Sequence, residues 1–196
     1  MSRTIKSLGG WTTVTHEILY SKEFLKLQQI GGCHQYHQEG NALTHSLLVY
    51  LAAQKMFSND LMMQCVALLH DIGKIYTGRL KPMTTDDWEY PYHSHSGAEH
   101  LSMFIPEDFV CFDEMQWYIY SHIKPLFWKQ KGFNRSQAEF DVSYYGKSNL
   151  AKVKVTPERF NNLIDLVICD LQGSIPADYV DTVETINYLR GLRYEQ

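Results

Sequence analysis

The feature that most restricts this chain is a set of acids and imidazoles inserted into helical stripes that are otherwise apolar. Ala42, His45, Leu48, Val49 and Ala52 recur at the three- and four-residue spacing of one helix face, and His45 interrupts it. Met63, Val66 and Ala67 lead to His70, with Asp71 beside it. Met115, Tyr118 and Ile119 lead to His122, and Leu163, Leu166 and Val167 lead to Asp170. An unpaired carboxylate in an apolar interior costs several kcal/mol even after relaxation. Asp71 and Asp170 therefore need positive partners, and the same stripes carry no lysine or arginine. A divalent cation shared with the imidazoles satisfies both acids at once. One histidine on an apolar stripe is ordinarily a hydrogen-bonded core residue. Four coincident interruptions, one of them an adjacent His-Asp pair, are harder to place that way.

The rest of the composition sets the frame. A chain of 196 residues with 44% apolar and 20% charged residues can bury a core, and reads as one domain over 1–196. No apolar run approaches the roughly 18 residues of a membrane span, and Met1 to Gly10 is polar. Cys33, Cys65, Cys111 and Cys169 form no C-x-x-C pair, which excludes a thiolate zinc ribbon and argues against a disulfide scaffold. A reducing, cytoplasmic setting without a membrane partner is the expectation. The net charge of −4 argues against a general nucleic-acid coat. Yet Lys124 to Arg159 holds eight bases against three acids, a local excess that points to an anionic ligand or to a solvated lysine-rich loop.

The periodicity predicts an all-α fold with room for a small hairpin. A first helix is expected over Thr13–Ile30, stopped by Gly31-Gly32. Asn41 is a natural cap for a helix to Phe57, and Ser58-Asn59-Asp60 opens the next, to about Lys74. Residues 75–92, with Gly78, Pro82 and Pro91, read as a loop with a small hairpin. Helices follow at Ser96–Phe104 and Glu107–Ile123, with Pro125 at the end of the latter. Residues 132–155 alternate weakly at Phe140, Val142 and Tyr144, as a strand pair or a flap would. Thr156-Pro157 starts a helix to about Leu171, and Ala177–Leu192 forms the last.

The stretch Leu68-Leu69-His70-Asp71-Ile72-Gly73-Lys74, with His45 in Thr44-His45-Ser46-Leu47 before it and Asp170 far beyond, resembles the HD-domain metal-dependent phosphohydrolases. The resemblance spans about 29–173, leaving flanking helices at both ends. Tyr92-His93 with Gly97-Ala98, and Ser121-His122-Ile123-Lys124-Pro125, are most similar to the HD module of bacterial tRNA nucleotidyltransferases. The resemblance implies an HD-domain-like helical bundle in which His45, His70, Asp71 and Asp170 hold one metal. In two-metal members the aspartate bridges and two further histidines complete the second site, here His93 and His122, with His95 as the alternative to His93. It also implies that Lys74 contacts a substrate phosphate; otherwise Lys74 complements a helix C-terminus. Lys124 is a similar candidate, or a surface lysine. Cys33-His34-Gln35-Tyr36-His37 precedes the His45 helix and either lines the pocket mouth or is a loop with surface histidines, the latter reading favoured for His34.

Donors of imidazole and carboxylate without thiolate admit one or two ions of Mn, Fe, Ni, Co, Mg or Zn. The expected activity is hydrolysis of a phosphate mono- or diester by a metal-activated water, on a phosphorylated small molecule, a nucleotide or an RNA end, with Asp71, Lys74 and Lys124 as catalytic candidates. The alternative is a metal-containing nucleotide- or RNA-binding module with little turnover, motivated by the basic stretch. A closed structural metal site and an iron-dependent oxygenase rank lower. No phosphate-binding G-x-x-x-x-G-K-[ST] loop, G-x-S-x-G elbow or G-x-G-x-x-G turn is present. The sequence does not set the oligomeric state.

Overall fold

The computed structural model describes residues 10–32, 38–143, 153–176 and 178–195. Helices dominate: α1 (Trp11–Leu19), α2 (Lys22–Leu25), α3 (Ala42–Met56), α4 (Leu61–Leu69), α5 (Lys74–Thr77), α6 (His93–Glu99), α7 (Phe112–Ser121), α8 (Lys124–Lys131), α9 (Arg135–Ser143), α10 (Pro157–Gly173) and α11 (Tyr179–Leu192). An antiparallel hairpin, β1 (Arg79–Leu80) and β2 (Trp88–Glu89), pairs Arg79 with Glu89 and Leu80 with Trp88. The all-α architecture with one small hairpin is as the sequence predicts.

The centre is α4. Seven of its nine residues are buried, so it is apolar all round rather than amphipathic. It packs against α1, α3, α7 and α10, and α10 lies along α3. Trp117, Tyr118, Trp128, Phe24 and Phe160 are the largest fully buried side chains. Side-chain caps set the starts of α3, α4 and α10. Asn41 Oδ1 accepts the Thr44 N–H at 2.9 Å, Asp60 Oδ1 that of Met63 at 3.0 Å, and Thr156 Oγ1 that of Arg159 at 3.2 Å.

Two glycines let elements approach closely enough to build the site. A Cβ on Gly173 would lie 2.6 Å from Val49 Cγ2 and 2.7 Å from Val49 N, so its absence lets the end of α10 rest on the backbone of α3. A Cβ on Gly73 would lie 1.9 Å from the His93 carbonyl oxygen and 2.4 Å from Gly97 N. The turn after His70-Asp71 thus touches the backbone of α6 directly.

Three expectations are corrected. The stretch 13–30 is not one helix: it breaks at Tyr20-Ser21, where Ser21 Oγ accepts the Phe24 N–H at 3.1 Å. The buried residues are Val14, Ile18, Phe24, Leu27 and Ile30, and the step of six from Ile18 to Phe24 does not stay on one helix face. The described part of 132–155 contains a helix, α9, not a strand pair. Its buried pair is Ala138 and Val142, four apart, while Phe140 faces solvent. Finally, α6 begins at His93, three residues before the expected start, with Tyr92 in the left-handed region at φ 57°. The Cys33–His37 stretch and Tyr144-Tyr145 lie outside the described residues.

Candidate metal centre

Five helices deliver the donors. His45 sits in the first turn of α3, His70 and Asp71 in the turn after α4, His93 at the start of α6, His122 just after α7, and Asp170 in the last turns of α10. Their polar tips converge. His45 Nε2 is 3.0 Å from Asp170 Oδ1, 3.5 Å from Asp71 Oδ2 and 3.3 Å from His70 Nε2. His70 Nε2 is 3.3 Å from Asp71 Oδ2 and 3.7 Å from Asp170 Oδ1. On the other side of the same carboxylate, Asp71 Oδ1 is 3.4 Å from His93 Nε2 and 3.8 Å from His122 Nε2, which are 3.3 Å from each other. Asp71 therefore divides the cluster: Oδ2 faces His45, His70 and Asp170, and Oδ1 faces His93 and His122.

Each ring is turned so that Nε2 points into the cluster. The Nδ1 of His70 is 2.7 Å from the Ala67 carbonyl, that of His93 is 3.0 Å from the Tyr90 carbonyl, and that of His122 is 2.6 Å from the Ile119 carbonyl. A carbonyl only accepts, so each Nδ1 carries a proton. All three acceptors lie three residues before their histidine. His45 differs, because its Nδ1 meets the Glu39 carboxylate at 2.8 Å. Such outer partners hold a ligating imidazole in one tautomer and orientation.

The electrostatics are those of a site short of positive charge. Glu39, Asp71 and Asp170 bring three carboxylates against one ammonium, Lys74, whose Nζ is 2.6 Å from Asp71 Oδ2. Burial opposes ionisation of Asp71, but Lys74 and His70 outweigh it and hold the acid well below its ordinary range. Asp170 is likewise held low against burial, by His45 and His70. Burial disfavours the charged form of His70 too, yet Asp71 and Asp170 push it up to about 10. His45 is raised against burial by Asp170 and Glu39. Away from Asp170 the balance reverses, and burial together with His70 and His93 depresses His122 to about 3. Two carboxylates with excess negative charge, and lone pairs aimed at a common space, suit a divalent cation. His45, His70 and Asp170, and also His70, Asp71 and His122, lie close enough together to hold one.

Several sequence expectations need adjustment. His93, not His95, joins the cluster; His95 Nδ1 instead lies 3.3 Å from Glu99 Oε2 at the surface. The inference that Asp71 has no cationic partner fails, because Lys74 reaches back one turn to it and also lies 4.7 Å from the centre of the Tyr90 ring. Lys74 is buried, so it is not a surface residue tending a helix end. Lys124 is engaged elsewhere, where Nζ donates to the Asp141 carbonyl at 2.8 Å. Part of the basic stretch has partners within the chain, those of Lys129 lying at the surface. Lys129 pairs with Asp181 and Glu184, Arg159 makes a two-pronged pair with Glu114, and Arg135 donates to the Leu192 and Arg193 carbonyls. Glu39 escaped the sequence reading because it lies in a loop, where no periodicity marks a buried position. Its one sequence signal is an acid six residues ahead of the stripe histidine.

A family model described as the HD domain matches residues 42–158. That is more than half of the chain, and the chain belongs to the HD-domain family. HD domains are in general metal-dependent phosphohydrolases. The matched span holds His45, His70, Asp71, His93 and His122, while Asp170 lies beyond it and is brought in by α10. No match was found among curated proteins or solved structures. No helix of the described residues is long and apolar enough to cross a membrane.

Proposed function

We propose that the chain hydrolyses a phosphate mono- or diester, of a nucleotide or an RNA end, at a divalent metal centre formed by His45, His70, Asp71, His93, His122 and Asp170. The observation that carries this reading is the division of the cluster by Asp71, one oxygen toward each half. When bound, the cation supplies Lewis acidity, lowering the pKa of water and polarising a phosphoryl oxygen. Manganese, iron, nickel, cobalt, magnesium and zinc all suit the donors.

The protein's own groups do the orienting. Four imidazoles held at Nδ1 turn Nε2 inward, the nitrogen that would bind a cation. Lys74 pairs with the Asp71 carboxylate, and this pair together with its burial supports a role in orienting Asp71 rather than in gripping substrate. His93 and Asp170 are the most exposed of the six donors, with side chains 16% and 12% accessible, so substrate approaches from their side. The nucleotide or RNA end is favoured by the resemblance of the His93 and His122 segments to the tRNA nucleotidyltransferase module. The alternative, a binding module with little turnover, loses part of its motive, because Lys124 and Arg159 are committed to partners within the chain, while Lys129 pairs with exposed acids at the surface.

The test is a screen of metal-replete protein on nucleoside monophosphates, 2′,3′-cyclic phosphates and dinucleotides. Turnover of at least one class is expected, and its loss in Asp71→Ala with helical content retained. Full activity in that variant refutes the reading.

A further inference from the structure

We propose that Glu39 is a positioning residue for the metal centre: by pairing its carboxylate with His45 Nδ1 it sets the metal affinity of the half that contains His45, His70 and Asp170. The inference rests on the metal-dependent reading above and extends it to a residue outside both the matched span and the recognised motifs.

The argument begins with an asymmetry. His70, His93 and His122 each find their Nδ1 acceptor in a backbone carbonyl of the preceding turn. His45 sits in the first turn of α3 and does not use a carbonyl of the preceding turn. It reaches outside its helix to a carboxylate. A carboxylate acceptor makes a charge-assisted bond, roughly twice as strong as a neutral one. It also raises the basicity of the opposite nitrogen, the one that faces the cluster.

Glu39 is a costly residue in this place. Its side chain is 1% exposed, and an ionised carboxylate buried to that degree needs specific partners. It has them on both oxygens: Oε1 meets His45 Nδ1 at 2.8 Å, and Oε2 accepts the Ile175 N–H at 3.0 Å. Ile175 lies just past the end of α10, and its carbonyl accepts the Gln38 N–H at 2.9 Å. One carboxylate thus spans the loop before α3 and the segment after Asp170. It ties together the two chain regions whose donors, His45 Nε2 and Asp170 Oδ1, are 3.0 Å apart. Gly40, at φ 104°, supplies the left-handed turn between Glu39 and α3.

The experiment titrates Mn²⁺ into the chelator-stripped full chain by calorimetry, for wild type, Glu39→Ala and Glu39→Gln, with melting temperatures measured on the same metal-free samples. Glu39→Ala is expected to weaken Mn²⁺ binding at the half that contains His45 by about 10–100-fold. Glu39→Gln, which keeps an oxygen acceptor of the same reach but no charge, is expected to lose less, and it preserves the test if the alanine variant does not fold. A purely structural Glu39 would lower the melting temperature while leaving Mn²⁺ affinity at wild type in both variants, and that result overturns the proposal. A wild-type chain that binds no Mn²⁺ overturns the metal reading itself, so the two failures are distinguishable.

Discussion

Gly73→Ala tests how the fold positions His93. The new Cβ would sit 1.9 Å from the His93 carbonyl oxygen and 2.4 Å from Gly97 N, where ordinary contact begins at 3.4 Å. Both obstacles are backbone, so rotamer changes cannot relieve them. The start of α6 must retreat from the turn after Asp71 by about 1.5 Å, the difference between 1.9 Å and 3.4 Å. His93 Nε2 is 3.4 Å from Asp71 Oδ1, and a retreat of that size takes the ring out of reach. A misplacement of about 1 Å in a reacting constellation can cost about 10²-fold in rate. Overpacking of this kind costs about 1–3 kcal/mol. For a chain of this length each kcal/mol shifts Tm by roughly 2–4 °C. The assay measures kcat of the metal-replete enzyme on its best substrate from the panel, with Tm of the metal-free protein. A fall of about 10²-fold or more in kcat is expected, with a folded protein and a lower Tm. Wild-type kcat and Tm in Gly73→Ala would show that the approach of the two backbones does not set His93, and the reasoning would fail.

Other outcomes follow from the same geometry. His93→Ala should lower kcat by about 10²-fold or more, while His95→Ala, at the surface beside Glu99, should leave it within twofold (about 0.4 kcal/mol); comparing the two checks the assignment. Asp170→Asn should abolish tight Mn²⁺ binding in calorimetry although the residue lies outside the matched family span. Thr156→Ala, which removes the cap on α10, should cost about 1 kcal/mol, read as a Tm lowered by roughly 2–4 °C. In chelated protein His45 and His70 are raised above their unfolded values by Asp170, Asp71 and Glu39, against burial and Lys74. The stability they add is fully present below the unfolded pKa of about 6.5 and is lost as pH climbs toward about 10. Urea midpoints of chelated protein should therefore fall from pH 6.5 to pH 9.5, and midpoints that rise over that range would contradict the assigned directions.

The legible part of this molecule is what periodicity and capping encode. Asn41 and Thr156 cap α3 and α10 as their side chains predict, and the interrupted stripes of α3, α4, α7 and α10 bring His45, His70, His122 and Asp170 to one place. What escaped reading is set by tertiary contacts. The break at Ser21 depends on a hydroxyl choosing to cap rather than to continue a helix. In 132–155 the apparent alternation rests on Phe140, which faces solvent, while the pair that matters is Ala138 and Val142. The sequence leaves Lys74 between a phosphate contact and a helix-end residue, because nothing local shows that it folds back on Asp71. Lys124 looked available because its acceptor, the Asp141 carbonyl, lies seventeen residues away. Glu39 is invisible for the same reason, its role depending on Ile175, 136 residues distant.

The most direct test of the central claim is an anomalous difference map from crystals of the chain grown with Mn²⁺. The account predicts a peak bonded to the Nε2 atoms of His45 and His70 and to the carboxylates of Asp71 and Asp170, with any second peak between Asp71, His93 and His122. A fully occupied Mn²⁺ peak elsewhere, with these side chains left bonded only to one another, would contradict it.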